Sequence, residues 1–339
     1  MDGLDLEEME GLTGPYLEGY LSTGEAFAGD FSAGVSAILT AGSTPGLLAL
    51  REAARSGLLL FTVALLGGLA ETMRQGPATG ADPIRLATTV CITALAVSDV
   101  NTLMGLGRET LERMSTFSMA LLPAVTAASA AAGAPTAALA RQGATLLFFE
   151  LLLELTRRVI LPLILAYAAA LAARSALGNE GLKRVADLLK WCATGLLSLL
   201  LTGFVLYLTV SGAVAGNADA LAQKAAKTAL SGMVPVVGGI LSDAAETVVA
   251  GAGVVKGTLG VAGLLAVLCI CLGPFLRLGF HYLIYKLTAA LASLVTTGPA
   301  AGLLDAMGSA FALLLGTVAG GGLILYISLI TSLQTALSG

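Results

Sequence analysis

Residues 309–333 contain no Asp, Glu, Lys or Arg, and Thr258 to Leu276 is another uncharged run that ends at Arg277. A helix rises about 1.5 Å per residue, so roughly 20 apolar residues cross a hydrocarbon layer of about 30 Å. Lipid offers backbone groups no hydrogen-bond partner, so runs of this kind fold as helices whose N–H and C=O groups satisfy one another. Charged residues make up only 12% of the 339, against about 25% in soluble domains. The chain therefore reads as an all-α, polytopic helical membrane protein. Aromatic residues are 5% and glycines number 42, a composition that favours close helix–helix approach over bulky packing.

The runs predict about seven to nine membrane helices. Expected spans cover residues 56–73, 84–106, 115–134, 159–177, 191–214, 258–276, 279–295 and 309–333. Residues 137–177 admit two divisions: two short spans meeting at Arg157-Arg158, or a surface-lying helix followed by one span. Arg174, Lys183, Arg184 and Lys190 outnumber the acids of 174–190, so this loop is expected on the cytoplasmic side. Trp191 and Tyr207 suit interface anchors.

Residues 1–55 form an acidic N-terminal segment, and 56–339 a helical transmembrane domain. The first 30 residues hold eight acids (Asp2, Asp5, Glu7, Glu8, Glu10, Glu18, Glu25 and Asp30) and no Lys or Arg. They contain neither a basic stretch nor an apolar core of the kind a signal peptide carries.

One stretch breaks the spanning pattern. Residues 228–256 contain Pro235, the pair Gly238-Gly239, and two acids, Asp243 and Glu246. Such a backbone is not tolerated against lipid, so the segment is expected outside the bilayer or protected as a broken or re-entrant element. The Asp-x-x-Glu spacing also fits the start of a helix. Lys227 belongs to an amphipathic stretch expected over Asn217 to Ser231, with Asp219 and Gln223 at steps of four. Lys227, Pro235, Gly238, Gly239, Asp243 and Glu246 are the candidate pore or partner residues.

Charges within apolar runs are costly, which singles out Asp99, Glu150, Glu154 and Lys286. The bland reading has Asp99 and Lys286 reaching toward an interface, and the two glutamates partnered by Arg157 or Arg158. The sharper one is a polar path lined by these groups. Gly316 and Gly320 have the four-residue spacing of helix packing, within one protomer or between copies in a homo-oligomer. His281 is the only histidine, and Cys91, Cys192, Cys269 and Cys271 lack metal-ligand spacing. No catalytic constellation, cofactor site, metal site or nucleic-acid site is read.

The run Val234-Pro-Val-Val-Gly238, the run Asp243 to Val248, Gly260 to Gly263, Leu283 to Lys286 and Leu304 to Gly308 together resemble the stage III sporulation protein AE family. The resemblance is clear over 180–339. It implies a membrane component of the mother-cell-to-forespore channel of endospore formers, without catalytic residues. It also implies partners: other stage III proteins of the same operon, including a secretion-type ATPase and ring-forming proteins, with stage II sporulation protein Q on the forespore side. Family members begin with a cleavable signal peptide, which implies an extracytoplasmic N-terminus and a mature form here. The alternative expectation is a stand-alone secondary transporter of a small solute, since broken helices also mark transporter binding sites.

Overall fold

The computed structural model describes residues 6–18, 20–21, 31–73, 83–131, 147–177, 179–210, 258–296 and 299–338. The described elements are helical: α1 (Leu6–Leu17), α2 (Phe31–Ala41), α3 (Ser43–Met73), α4 (Pro83–Ala131), α5 (Leu161–Leu177), α6 (Glu180–Val210), α7 (Thr258–Val295) and α8 (Pro299–Ser338). Residues 147–155 are also helical and join α5 through a π-helical turn, Thr156–Ile160. Six stretches among the described residues are long and apolar enough to cross a membrane: Phe31–Met73, Pro83–Leu121, Leu147–Ser175, Glu180–Phe204, Gly260–Val295 and Ala300–Ile330. The protein is an all-α polytopic membrane protein.

Three expected breaks between membrane spans are helix interior. The sequence predicts separate spans over 84–106 and 115–134, yet α4 runs unbroken from Pro83 to Ala131, where the described residues of that stretch end. The charged residues between them, Arg108 to Arg113, are good helix formers and contain neither Gly nor Pro. Likewise α7 passes straight through Arg277 and Pro274, joining the stretches 258–276 and 279–295. At about 1.5 Å per residue these two helices are roughly 73 and 57 Å long. Both exceed the hydrocarbon thickness. The helix at 147–177 likewise continues through Arg157-Arg158, so neither division of that region holds. The boundary drawn at 55/56 falls within α3.

The π turn has a local cause. Pro162 has no N–H and its ring crowds the carbonyl four residues back. The chain accommodates it with one wide turn, in which the Leu161 N–H donates to the Thr156 carbonyl five residues earlier.

The core is built on α8 and α7, which run antiparallel: Gly308 lies against Tyr285 and Lys286, and Gly322 against Cys271. α3 runs parallel to α7, with Gly46 facing Leu276 and Gly68 against the carbonyl of Val295. α4 runs antiparallel to α3 (Gly67 faces Thr88) and packs on α8, where Gly321 meets Leu111. The α5–α6 hairpin closes the other side. Its turn is fixed by Asn179, whose side-chain oxygen accepts from the Gly181 N–H at 2.8 Å as an N-cap. Gly316 and Gly320 of α8 face Leu197 and Leu201 of α6, so this pair packs inside the protomer.

Several hydroxyls in these apolar helices are satisfied locally, though the buried hydroxyls of Ser118 and Thr156 find no partner among the described residues. Thr89 bonds to the carbonyl of Arg85, Thr317 to that of Leu313, and Ser328 to that of Ile324, each four residues back.

Candidate functional site

Asp99 stands half-buried on α4, where α3, α4 and α7 meet. Its Oδ2 accepts a hydrogen bond from the Tyr285 hydroxyl on α7 at 2.6 Å, and another from the Ser56 hydroxyl on α3. Tyr285 is fully buried, so an unmet hydroxyl there would be costly, and the carboxylate meets it. The Tyr285 ring in turn packs edge-on against Phe311 of α8, centroids 4.8 Å apart. Three distant parts of the chain are thereby tied through one carboxylate.

A cleft of about 210 Å³ opens beside Asp99, lined by Glu52, Arg55, Ser56, Ser98, Thr102 and His281 with Leu59, Leu95 and Leu103. His281 precedes Tyr285 by four residues, one turn along the same face of α7. It is buried, and its Nδ1 lies 2.8 Å from the Arg277 carbonyl. A carbonyl can only accept, so Nδ1 is the donor in this contact. Glu52 at the rim is 3.9 Å from Arg277.

A second polar cluster joins α7, α8 and α5. Lys286 Nζ donates to Asp305 Oδ1 at 2.6 Å and to the Ser309 hydroxyl at 3.3 Å. Tyr167 of α5 shares a hydrogen bond with Ser309. A third set of charges lies further along the bundle. Arg157 on the π turn reaches Glu112 of α4 at 2.7 Å, while Arg158 pairs with Glu154 and Arg113 with Glu109. Among the described residues, no three His, Cys, Asp or Glu side chains gather as a metal site.

Of the charges singled out from sequence, Asp99 and Lys286 prove to be internal tethers between helices. Glu154 pairs with Arg158, whereas Arg157 goes to α4 instead of its own helix. Glu150 is exposed. Ser56, Tyr285 and Asp305 were not read as partners. Asp305 is visible in the sequence as the one acid within 299–338 and as part of the Leu304 to Gly308 run. Lys227, Pro235, Gly238, Gly239, Asp243 and Glu246 lie outside the described residues, as does the whole segment 228–256.

A sequence model of the family described as stage III sporulation protein AE matches residues 57–336, which includes Asp99, His281, Tyr285, Lys286 and Asp305. The chain belongs to the stage III sporulation protein AE family. A relative of that description from Bacillus subtilis (strain 168) is 28% identical over 211 residues, covering 62% of this chain and 53% of the relative. The chain thus matches about half the length of that curated relative. No solved structure matches. Glu52, Arg55 and Ser56 stand just before the region shared with the stage III sporulation protein AE family, while the rest of the Asp99 site lies inside it.

Proposed function

We propose that this chain is a non-enzymatic membrane subunit of a specialised secretion or transport channel serving endospore development, between mother cell and forespore. The observation that carries this reading is the family match over 57–336, a region that includes most of the six candidate spans. A subunit of this kind works by helix packing and partner contact, and the polar groups described above are tethers that suit such a role. It resides in the mother-cell membrane around the forespore with its N-terminus extracytoplasmic. Its partners are the other stage III proteins, including the secretion-type ATPase and the ring-forming proteins, and through them stage II sporulation protein Q.

The test replaces the chromosomal copy in a spore-forming host. Loss of the chain must arrest forespore development, and affinity-tagged protein from sporulating cells must recover the other stage III proteins. Pro235→Leu and Asp243→Lys must each block development while the protein still accumulates. Normal spores without the chain, or a tagged chain free of stage III partners, would reject the reading.

One observation favours a stand-alone secondary transporter: the cleft that brings Asp99 and His281 together within the spans. Solute flux by the purified chain in proteoliposomes, without partners, would select that reading.

A further inference from the structure

We propose that the cleft beside Asp99 is a binding site for a small zwitterion bearing a primary ammonium and a carboxylate, the chemistry of a free aliphatic amino acid. The inference goes beyond the channel reading and rests on neither function proposed above, since a site can bind without transporting.

Asp99 is only half engaged by its own bundle. The Tyr285 and Ser56 hydroxyls both donate to Oδ2, while Oδ1 receives no hydrogen bond among the described residues. A carboxylate offers about four lone-pair sites over its two oxygens. Asp99 lines the cleft and is half-buried, so its open oxygen is left to an occupant of that cleft. An ammonium brings three donors and the opposite charge, which makes the bond charge-assisted.

Arg55 of α3 is the complement. It lines the same cleft and makes no ion pair among the described residues, whereas Glu52 at the rim already faces Arg277 at 3.9 Å. The next residue, Ser56, bonds to Asp99, so the two uncompensated opposite charges share one site. A guanidinium fork holds a carboxylate through two parallel hydrogen bonds. Leu59, Leu95 and Leu103 supply an apolar wall for a short side chain.

Other occupants match this arrangement less well. A hard divalent cation takes roughly six to eight oxygen ligands, usually with several carboxylates. Asp99 is the one cleft carboxylate without a cation beside it among the described residues. A simple anion meets Asp99 as a like charge, and a simple cation meets Arg55. Either also carries net charge into the spans, which is costly, and a zwitterion carries none. The cleft, about 210 Å³, is smaller than the roughly 300–1,000 Å³ of drug-sized pockets, so it suits a ligand of few heavy atoms.

The test is isothermal titration calorimetry on the full chain in lipid nanodiscs. The probes are glycine, L-alanine and L-valine, beside ethylamine and propionate, which each keep one charged end of alanine. At least one of the three amino acids must bind saturably at a single site, at least about tenfold tighter than ethylamine or propionate. Asp99→Asn and Arg55→Gln must each weaken that binding by about tenfold or more. Arg108→Gln, at an exposed arginine outside the cleft, must leave it unchanged. Arg55 is itself exposed, so Arg55→Gln keeps the test decisive if Asp99→Asn fails to fold. Absence of saturable binding, ethylamine or propionate binding as tightly as the amino acid, or an unaltered affinity in Arg55→Gln would each overturn the assignment.

Discussion

Lys286 of α7 holds Asp305 of α8 at 2.6 Å, and the same ammonium reaches Ser309 one turn further along α8. The two longest-buried helices are thus joined by a charged pair in an otherwise apolar seam. Asp305 is exposed and Lys286 only partly covered, so solvent screens the pair. Lys286→Met is expected to destabilise the protein by only about 0.2–1 kcal/mol, and Lys286→Met with Asp305→Leu to cost no more than the single change. Thermal unfolding in detergent micelles reads both. A double variant less stable than the single would contradict this account.

The glycines separate into tolerant and intolerant positions. A Cβ on Gly68 would meet the Val295 carbonyl oxygen at 2.6 Å, a backbone atom that cannot swing aside, and Gly68→Ala is expected to cost about 1–3 kcal/mol. At Gly316 the same atom would stand 3.6 Å from Leu197, an ordinary contact. Gly316→Ala is expected to be neutral or stabilising, since Ala favours helix over Gly by up to about 1 kcal/mol. Gly320→Ala lies between, with Leu201 at 3.1 Å. Unfolding midpoints of the three variants should rank in that order.

Arg157 and Glu112 couple the π turn to α4, and both side chains are partly exposed. A double-mutant cycle with Arg157→Gln and Glu112→Gln should therefore give a coupling energy of only about 0.2–1 kcal/mol. Reversing both charges together should restore what Glu112→Arg alone loses. A coupling several times larger would mean that the pair is shielded from water by lipid or by a partner.

Tyr285 contributes a ring and a hydroxyl, and these are separable. Tyr285→Phe keeps the contact with Phe311 and loses the bond to Asp99, at about 1–3 kcal/mol. Tyr285→Ala also opens a cavity and should cost about 3–5 kcal/mol. Equal losses in chemical denaturation would show that the ring packing adds nothing.

The apolar stretches announced the helices because hydrocarbon length and backbone satisfaction leave few alternatives. Where those helices end was not legible. Arg108 to Arg113 and Arg277 look like inter-span loops when charge is taken as the boundary, but Arg and Glu extend a helix readily. Asp99 and Lys286 stood out because ionisable groups are rare in apolar runs. Their partners stayed hidden because Ser56, Asp99 and Tyr285 meet only through the packing of three helices, with Asp99 and Tyr285 186 residues apart in sequence.

The π turn at Thr156–Ile160 amounts to one surplus residue in an otherwise regular helix. One residue corresponds to about 100° of rotation, so the stretch before the turn is phased differently from α5 after it. That phase offset lets one rod address two neighbours: Arg157 engages α4, while Tyr167 engages Ser309 on α8. The surplus residue thus acts as a gear setting between the halves of the rod. Excising it would leave the composition almost untouched and turn the upstream half away from its partner.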